Sequence, residues 1–265
     1  MHWGKIVVFV LGLWLAASAP VWAQESLVLI QGAMDIEVST LVERLEEPQA
    51  VVIDGWTYWQ GYIGPQQVVV SQTKVGTTNA AAATLLGIQR FSPAVIINQG
   101  TAGGYPAWLH RGDLIIGATI TNAGAVNAAR REAGQGLEVR EWSVRDEFGP
   151  VRWRSDARLV RLAEALKEVY SQGRVHTGTI FSSDRWSREL DYIAYWQKQE
   201  NALGEEMEAA ASAQIAAAYQ IPYLCVRVVS NNEAAQEPWE PAKAERLASG
   251  CQEYILRLVA ALQNR

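Results

Sequence analysis

Short apolar runs rich in β-branched residues alternate with longer segments of helical periodicity from Leu27 to the end of the chain. This alternation is the strongest constraint on the fold, because it dictates a sheet with helices packed on its faces. Strands are predicted at Leu27–Ile30, Val51–Ile53, Tyr58–Tyr62, Val68–Ser71, Ala94–Ile97, Leu114–Thr121, Val175–Phe181 and Tyr223–Val229. Helices are predicted to start at Asp35 and Glu189 and to span Thr77–Phe91, Ala157–Ser171, Glu208–Tyr219 and Lys243–Gln263. The expected fold is a single α/β domain with a central mixed sheet flanked by helices. In such sheets ligands sit beyond the carboxyl ends of the strands, so the turns that follow the apolar runs are where chemistry is sought.

The first residues follow a different pattern. Lys5 precedes an uninterrupted apolar run, Ile6–Ala17, and then the small-residue segment Ser18–Ala23. These are the three parts of a secretory signal peptide. Cleavage is expected after Ala23, because a cut after Ala19 would place Pro20 against the protease. Residues 24–265 then form the mature domain, periplasmic or secreted. The alternative is an uncleaved membrane anchor, for which the run falls short of the ~20 residues of a spanning helix. No membrane association is expected once the leader is removed.

With 49% apolar and 19% charged residues, the chain fits neither disorder nor collagen. Its net charge of −5 repels nucleic acid and anionic lipid, so neither is expected as a partner. His110 and His176 are the only histidines after the leader, and no Cys or His pair has ligand spacing, so no metal site is expected. There is no Gly-x-Ser-x-Gly elbow, phosphate loop or Gly-x-Gly-x-x-Gly fingerprint, which disfavours an esterase, an NTPase or a dinucleotide enzyme. No cofactor is implied. Cys225 and Cys251 are compatible with one disulfide, although Cys225 equally suits a small core position in its apolar run.

Four segments at strand ends carry polar chemistry. Gln31-Gly-Ala-Met-Asp-Ile-Glu37 follows the first strand, and Asp35 and Glu37 also fit as acids near a helix N-terminus. Asn98-Gln-Gly-Thr101-Ala102-Gly103-Gly104 reads as a Gly-rich bend whose N–H groups and Thr101 hydroxyl can approach a small polar ligand. Glu205-Glu206-Met207-Glu208 reads as the acidic opening of a helix, and Ser230-Asn231-Asn232-Glu233 closes a buried strand with polar side chains.

In this order the four segments resemble the nucleoside phosphorylase superfamily, most closely the 5′-methylthioadenosine/S-adenosylhomocysteine nucleosidases. The family's Gly-Ala-Met-x-x-Glu-Val is matched by Gly32–Val38 and its Asn-x-Gly-Ser/Thr-Ala-Gly-Gly by Asn98–Gly104. Its Glu-Met-Glu-Ala is matched by Glu206–Ala209 and its Arg-x-x-Ser-Asp by Arg227–Asn231, while Thr121–Ser155 is dissimilar. The resemblance implies hydrolysis of the ribosyl N-glycosidic bond of a purine nucleoside, through an oxocarbenium-like sugar. It implies that Glu37 orients and activates the water, that Glu208 takes the ribose hydroxyls and that Met207 packs on the sugar. Trp186, after Ser182-Ser-Asp-Arg185, takes the place of the family's base-stacking aromatic. Thr101, Ala102, Gly103, Glu206 and Ser230 complete the implied substrate-binding set. No Arg lies between Phe91 and Leu109, which favours water over phosphate as the acceptor. The family also implies a homodimer.

One departure stands out: these nucleosidases carry an Asp that protonates the purine at N7, and here the position is Asn231. An amide cannot deliver a proton, although it can still read a base edge in two orientations. Three outcomes follow: a nucleosidase shifted to 6-oxopurines, a slow adenine-type nucleosidase, or a purine-binding protein without catalysis. Retention of Glu37 and Glu208 supports a hydrolase.

Overall fold

The computed structural model describes residues 27–128, 130, 132–134, 139–141 and 152–263. The leader expected at 1–23 lies outside the described residues, as does most of the dissimilar stretch before Ser155. Among the described residues no helix is long and apolar enough to cross a membrane.

The strands are β1 (Val28–Gly32), β2 (Glu46–Ile53), β3 (Trp56–Ile63), β4 (Gln66–Gln72), β5 (Val95–Gly104), β6 (Leu114–Asn122), β7 (Val126–Ala128), β8 (Val139–Glu141), β9 (Arg152–Arg154), β10 (Val175–Ser182), β11 (Ala202–Glu206) and β12 (Tyr223–Asn231). The helices are α1 (Asp35–Glu43), α2 (Thr77–Phe91), α3 (Ala157–Ala165), α4 (Leu190–Glu200), α5 (Ala209–Ala218) and α6 (Pro241–Leu262). All but β7 and β8 share one mixed sheet, with the main order β11-β10-β6-β12-β5-β1-β4-β3-β2. β11 also pairs antiparallel with β5, which closes β5, β12, β6, β10 and β11 into a small barrel.

β1 runs parallel between β4 and β5 and is buried along its whole length, which is why Val28–Ile30 form an apolar run rather than an alternating one. Neighbouring residues on each strand feed opposite cores. Ile30 and Ile97 join Leu41, Leu159 and Leu258 of α1, α3 and α6 on one face. Leu29 and Ile96 join the α2 and α5 side on the other, where the small residues of Ala209–Ala218 pack against α2. Cys225 and Cys251 belong to these two different cores and are both free thiols, so they form no disulfide. Burial pushes both thiols up to about 12.

Three local differences from the sequence reading stand out, the first two at the carboxyl ends of strands that carry the site. The Gly-rich segment is the continuation of β5 to Gly104 rather than a bend, because it pairs with β12 on one side and β11 on the other. Glu205 and Glu206 end a strand, β11, and α5 starts only at Ala209. α3 stops at Ala165 and gives way to a 3-10 turn at Lys167–Val169, shortening the helix expected to reach Ser171.

Candidate active site

The carboxyl ends of β1, β5, β11 and β12 and the segment after β10 surround a cavity of about 270 Å³. The residues of the implied catalytic and substrate-binding set all line it. Glu37, Thr101, Ala102 and Gly103 lie on one side, Glu206, Met207 and Glu208 on another, and Trp186, Ser230 and Asn231 complete the wall. The placement follows the strand-end rule for open α/β sheets.

Glu37 sits in the first turn of α1 and is buried. Its Oε2 accepts from the backbone N–H of Ala33 (2.8 Å) and Met34 (3.3 Å), satisfying donors that the helix start leaves unpaired. Its Oε1 accepts from the N–H (2.8 Å) and hydroxyl (2.9 Å) of Thr101 on β5. The helix-start role and the cavity role thus belong to the same carboxylate. This approach requires glycine at position 100, where a Cβ would lie 2.7 Å from Glu37 Oε1.

Glu206 and Glu208 are buried beside the guanidinium of Arg227, which is itself fully buried. Arg227 Nη2 donates to Glu206 Oε2 and to Asn98 Oδ1, and lies 4.0 Å from Glu208 Oε2. Glu206 Oε2 also accepts from the N–H of Glu208 (3.0 Å) and Ala209 (2.8 Å) at the start of α5. Glu208 Oε1 accepts from Gly76 N–H at 2.9 Å, which ties the α2 entry to the cavity. Burial, reinforced by the charge of Glu206 and partly offset by Arg227, pushes the Glu208 carboxyl up to about 8; the Glu37 charge adds to the rise.

Ser230 and Asn231 are consecutive, yet both line the cavity. A register shift between Val229 and Asn231 explains this, since a bulge re-aims side chains that would otherwise alternate. Ser230 Oγ lies 3.1 Å from Asn231 Oδ1 and 3.2 Å from Ala102 O, and its single proton is shared between those acceptors. Trp186 is exposed at the mouth, its ring edge-on to that of Trp239 at 5.8 Å. The segment carrying Trp186 is fastened by Asp184, which accepts from the Thr77 N–H and hydroxyl at 2.6 Å each.

The sequence reading assigned no role to four further residues at the site. Arg227 was part of a matched motif. Glu205 fits a helix-start acid in the sequence, where Ala202 and Leu203 ahead of it are the signal for a strand. Trp239 and Arg185 line the cavity from loops with no periodic pattern. Glu205 is buried, accepts from Tyr105 OH (2.8 Å) and Ser187 N–H (2.7 Å), and is pushed above the usual carboxylate range by burial. Four carboxylates therefore line the cavity, with Arg185 the only Lys or Arg among the lining residues. In their ionised forms these carboxylates favour a cation forming on a bound ligand and oppose entry of an anion.

The profile of the Phosphorylase superfamily matches residues 27–263, nearly the whole described chain. The chain belongs to the phosphorylase superfamily. Within the superfamily it is similar to the 5′-methylthioadenosine/S-adenosylhomocysteine nucleosidase of Psychromonas ingrahamii, at 30% identity over 240 residues that cover 86% of this chain and 98% of the relative. Among solved structures, the nucleosidase of the same name from Neisseria meningitidis, in complex with methylthio-immucillin-A, has a TM-score of 0.72 at 26% identity, covering 89% of this chain and 98% of that one. The Colwellia psychrerythraea nucleosidase in complex with adenine has a TM-score of 0.74 at 25% identity, covering 90% and 96%. This phosphorylase-superfamily member therefore has nucleosidases as relatives both in sequence and in fold.

Proposed function

We propose that the protein is an exported purine nucleosidase that hydrolyses the ribosyl N-glycosidic bond, shifted toward 6-oxopurines by Asn231. The observation that carries this reading is that Glu37 and Glu208, far apart in sequence, line one cavity together with the base-side residues. Cleavage of the bond leaves positive charge on the ribose, and the carboxylates of this cavity are placed to stabilise it. Of the four donors on Glu37, only the Thr101 hydroxyl can rotate away. A water below the anomeric carbon takes its place on Oε1, where Glu37 orients it and accepts its proton. Ionised Glu208 accepts the ribose hydroxyls and Met207 packs on the sugar. Trp186 covers the base, and the Asn231 amide donates to O6 while its carbonyl accepts a hydrogen bond from N7–H, the leaving base having taken that proton from solvent. The acidic lining disfavours phosphate as a co-substrate, in agreement with the hydrolytic relatives. The Lys5-led apolar start supports export, and scavenging of external nucleosides suits that location. The resemblance supports a homodimer.

The test is incubation of the mature protein with guanosine, inosine, adenosine and methylthioadenosine, with and without phosphate. Free base without phosphate is expected. Release only with phosphate would overturn the acceptor assignment, and purine binding without release would select the non-catalytic reading.

The Glu208 carboxyl also sets a pH dependence. Only its ionised form accepts two hydroxyls, so kcat/KM is expected to rise about tenfold per pH unit below about 8 and to level off above it. Because the folded protein holds this proton to about 8 and an ordinary glutamate loses it near 4.5, stability contributed by protonation falls as pH rises across that window. Glu208→Gln is expected to flatten both the rate profile and this part of the melting-temperature profile. A wild-type kcat/KM constant from pH 6 to 9 would exclude the assignment.

A further inference from the structure

Glu205 has no part in the mechanism above, yet its carboxylate is buried and lines the cavity. Its place in the sheet is specific. Gly103 of β5 is paired in register with Glu205 of β11 on one side and with Asn231 of β12 on the other. The three residues form one row across three adjacent strands. A Cβ on Gly103 would lie 3.5 Å from Asn231 Nδ2 and 3.9 Å from Glu205 Cγ, so both side chains stand on the same face and flank the missing one. The outer two backbones are about 10 Å apart, and the two side chains lean in from them over Gly103, so a flat heterocycle above this glycine meets a polar group at each of two edges.

The hydrogen-bond capacity at those edges specifies the ring. Glu205 Oε2 holds Tyr105 OH and Oε1 holds Ser187 N–H, one donor on each oxygen, so each oxygen keeps one lone pair for the cavity. A carboxylate with one acceptor site open on each oxygen matches two parallel N–H donors. Burial raises this carboxyl, while the two fixed donors and the incoming ring N–H groups act the other way and favour its ionised, accepting form.

We infer that Glu205 is a specificity-determining residue that accepts the N1–H and 2-amino protons of a 2-amino-6-oxopurine while Asn231 holds the O6/N7 edge. This inference rests on the purine-nucleosidase reading and narrows it to guanosine-type substrates. Adenine presents a bare acceptor at N1, which an ionised carboxylate repels. Hypoxanthine has N1–H but lacks the second donor. The expected order of kcat/KM is therefore guanosine, then inosine, then adenosine.

Because Ser187 follows Trp186, Glu205 also anchors the segment bearing that indole, and the experiment has to separate anchoring from base reading. Glu205→Gln keeps a carbonyl for Ser187 N–H but turns one acceptor into a donor. Base release from the three nucleosides is measured for wild type and variant, together with binding of free guanine and adenine followed by tryptophan fluorescence. The guanosine-to-adenosine ratio of kcat/KM is expected to fall about 10- to 100-fold in the variant, the usual span for one charge-assisted hydrogen bond. A guanine-over-adenine binding preference in the wild type is expected to fall in parallel. A wild type that prefers adenosine, or a variant that slows all three substrates equally, overturns the inference and leaves the hydrolase reading intact. Release of no base from any nucleoside defeats that reading instead, and the binding preference of wild type and variant then decides the inference alone.

Discussion

Glutamine in place of Glu37 is expected to lower kcat by about 10²- to 10⁴-fold, the range for losing a positioned general base. Two effects act together. The amide cannot take a proton from water, and its NH₂ must face either the Ala33 and Met34 N–H groups or the Thr101 N–H and hydroxyl, since donors surround the carboxylate on both oxygens. Donors left unpaired by the swap cost about 1–3 kcal/mol of stability, so the variant is to be assayed well below its melting transition. Single-turnover measurement with the best nucleoside separates chemistry from binding. Retention of more than a tenth of wild-type kcat would remove Glu37 from the chemical step.

Asn231→Asp is expected to act in the opposite direction on 6-aminopurine nucleosides, raising their kcat by up to about 10²- to 10⁴-fold as a proton donor is supplied at N7. The position is buried, which favours the protonated carboxyl that such a donor needs. The same change is expected to slow 6-oxopurine nucleosides, because the amide that donates to O6 is lost. Comparing adenosine and guanosine turnover in both proteins gives the answer. If the Asp variant is no faster on adenosine, Asn231 is not what limits that substrate.

Much of this architecture is legible in the chain. The helix over Thr77–Phe91 is matched residue for residue, because its small and apolar positions keep one period and nothing interrupts it. The strands buried on both faces are announced by their uninterrupted apolar runs. What the sequence conceals is where strands continue past their apolar cores. Thr101–Gly104 and Glu205–Glu206 are polar or small and look like turns, yet two-sided pairing holds them extended. The identity of the acids around the cavity could be read from local motifs. The inward position of Glu205 could not, because it depends on β11 lying against β5, a partner about a hundred residues away. Trp239 is likewise brought to the mouth by the loop after β12, for which the sequence offers no periodic signal.

The short antiparallel contact between Gly103–Gly104 and Gly204–Glu205 is the seam that closes the barrel, and two of its residues, Gly103 and Glu205, line the cavity. A chain with that seam unzipped would have no place for a heterocycle, and a chain with a heterocycle in place would resist unzipping. Occupancy should therefore be felt throughout the molecule, as protection against heat and proteases that grows with the logarithm of ligand concentration. A bound substrate would then hold together the seam that forms its own site.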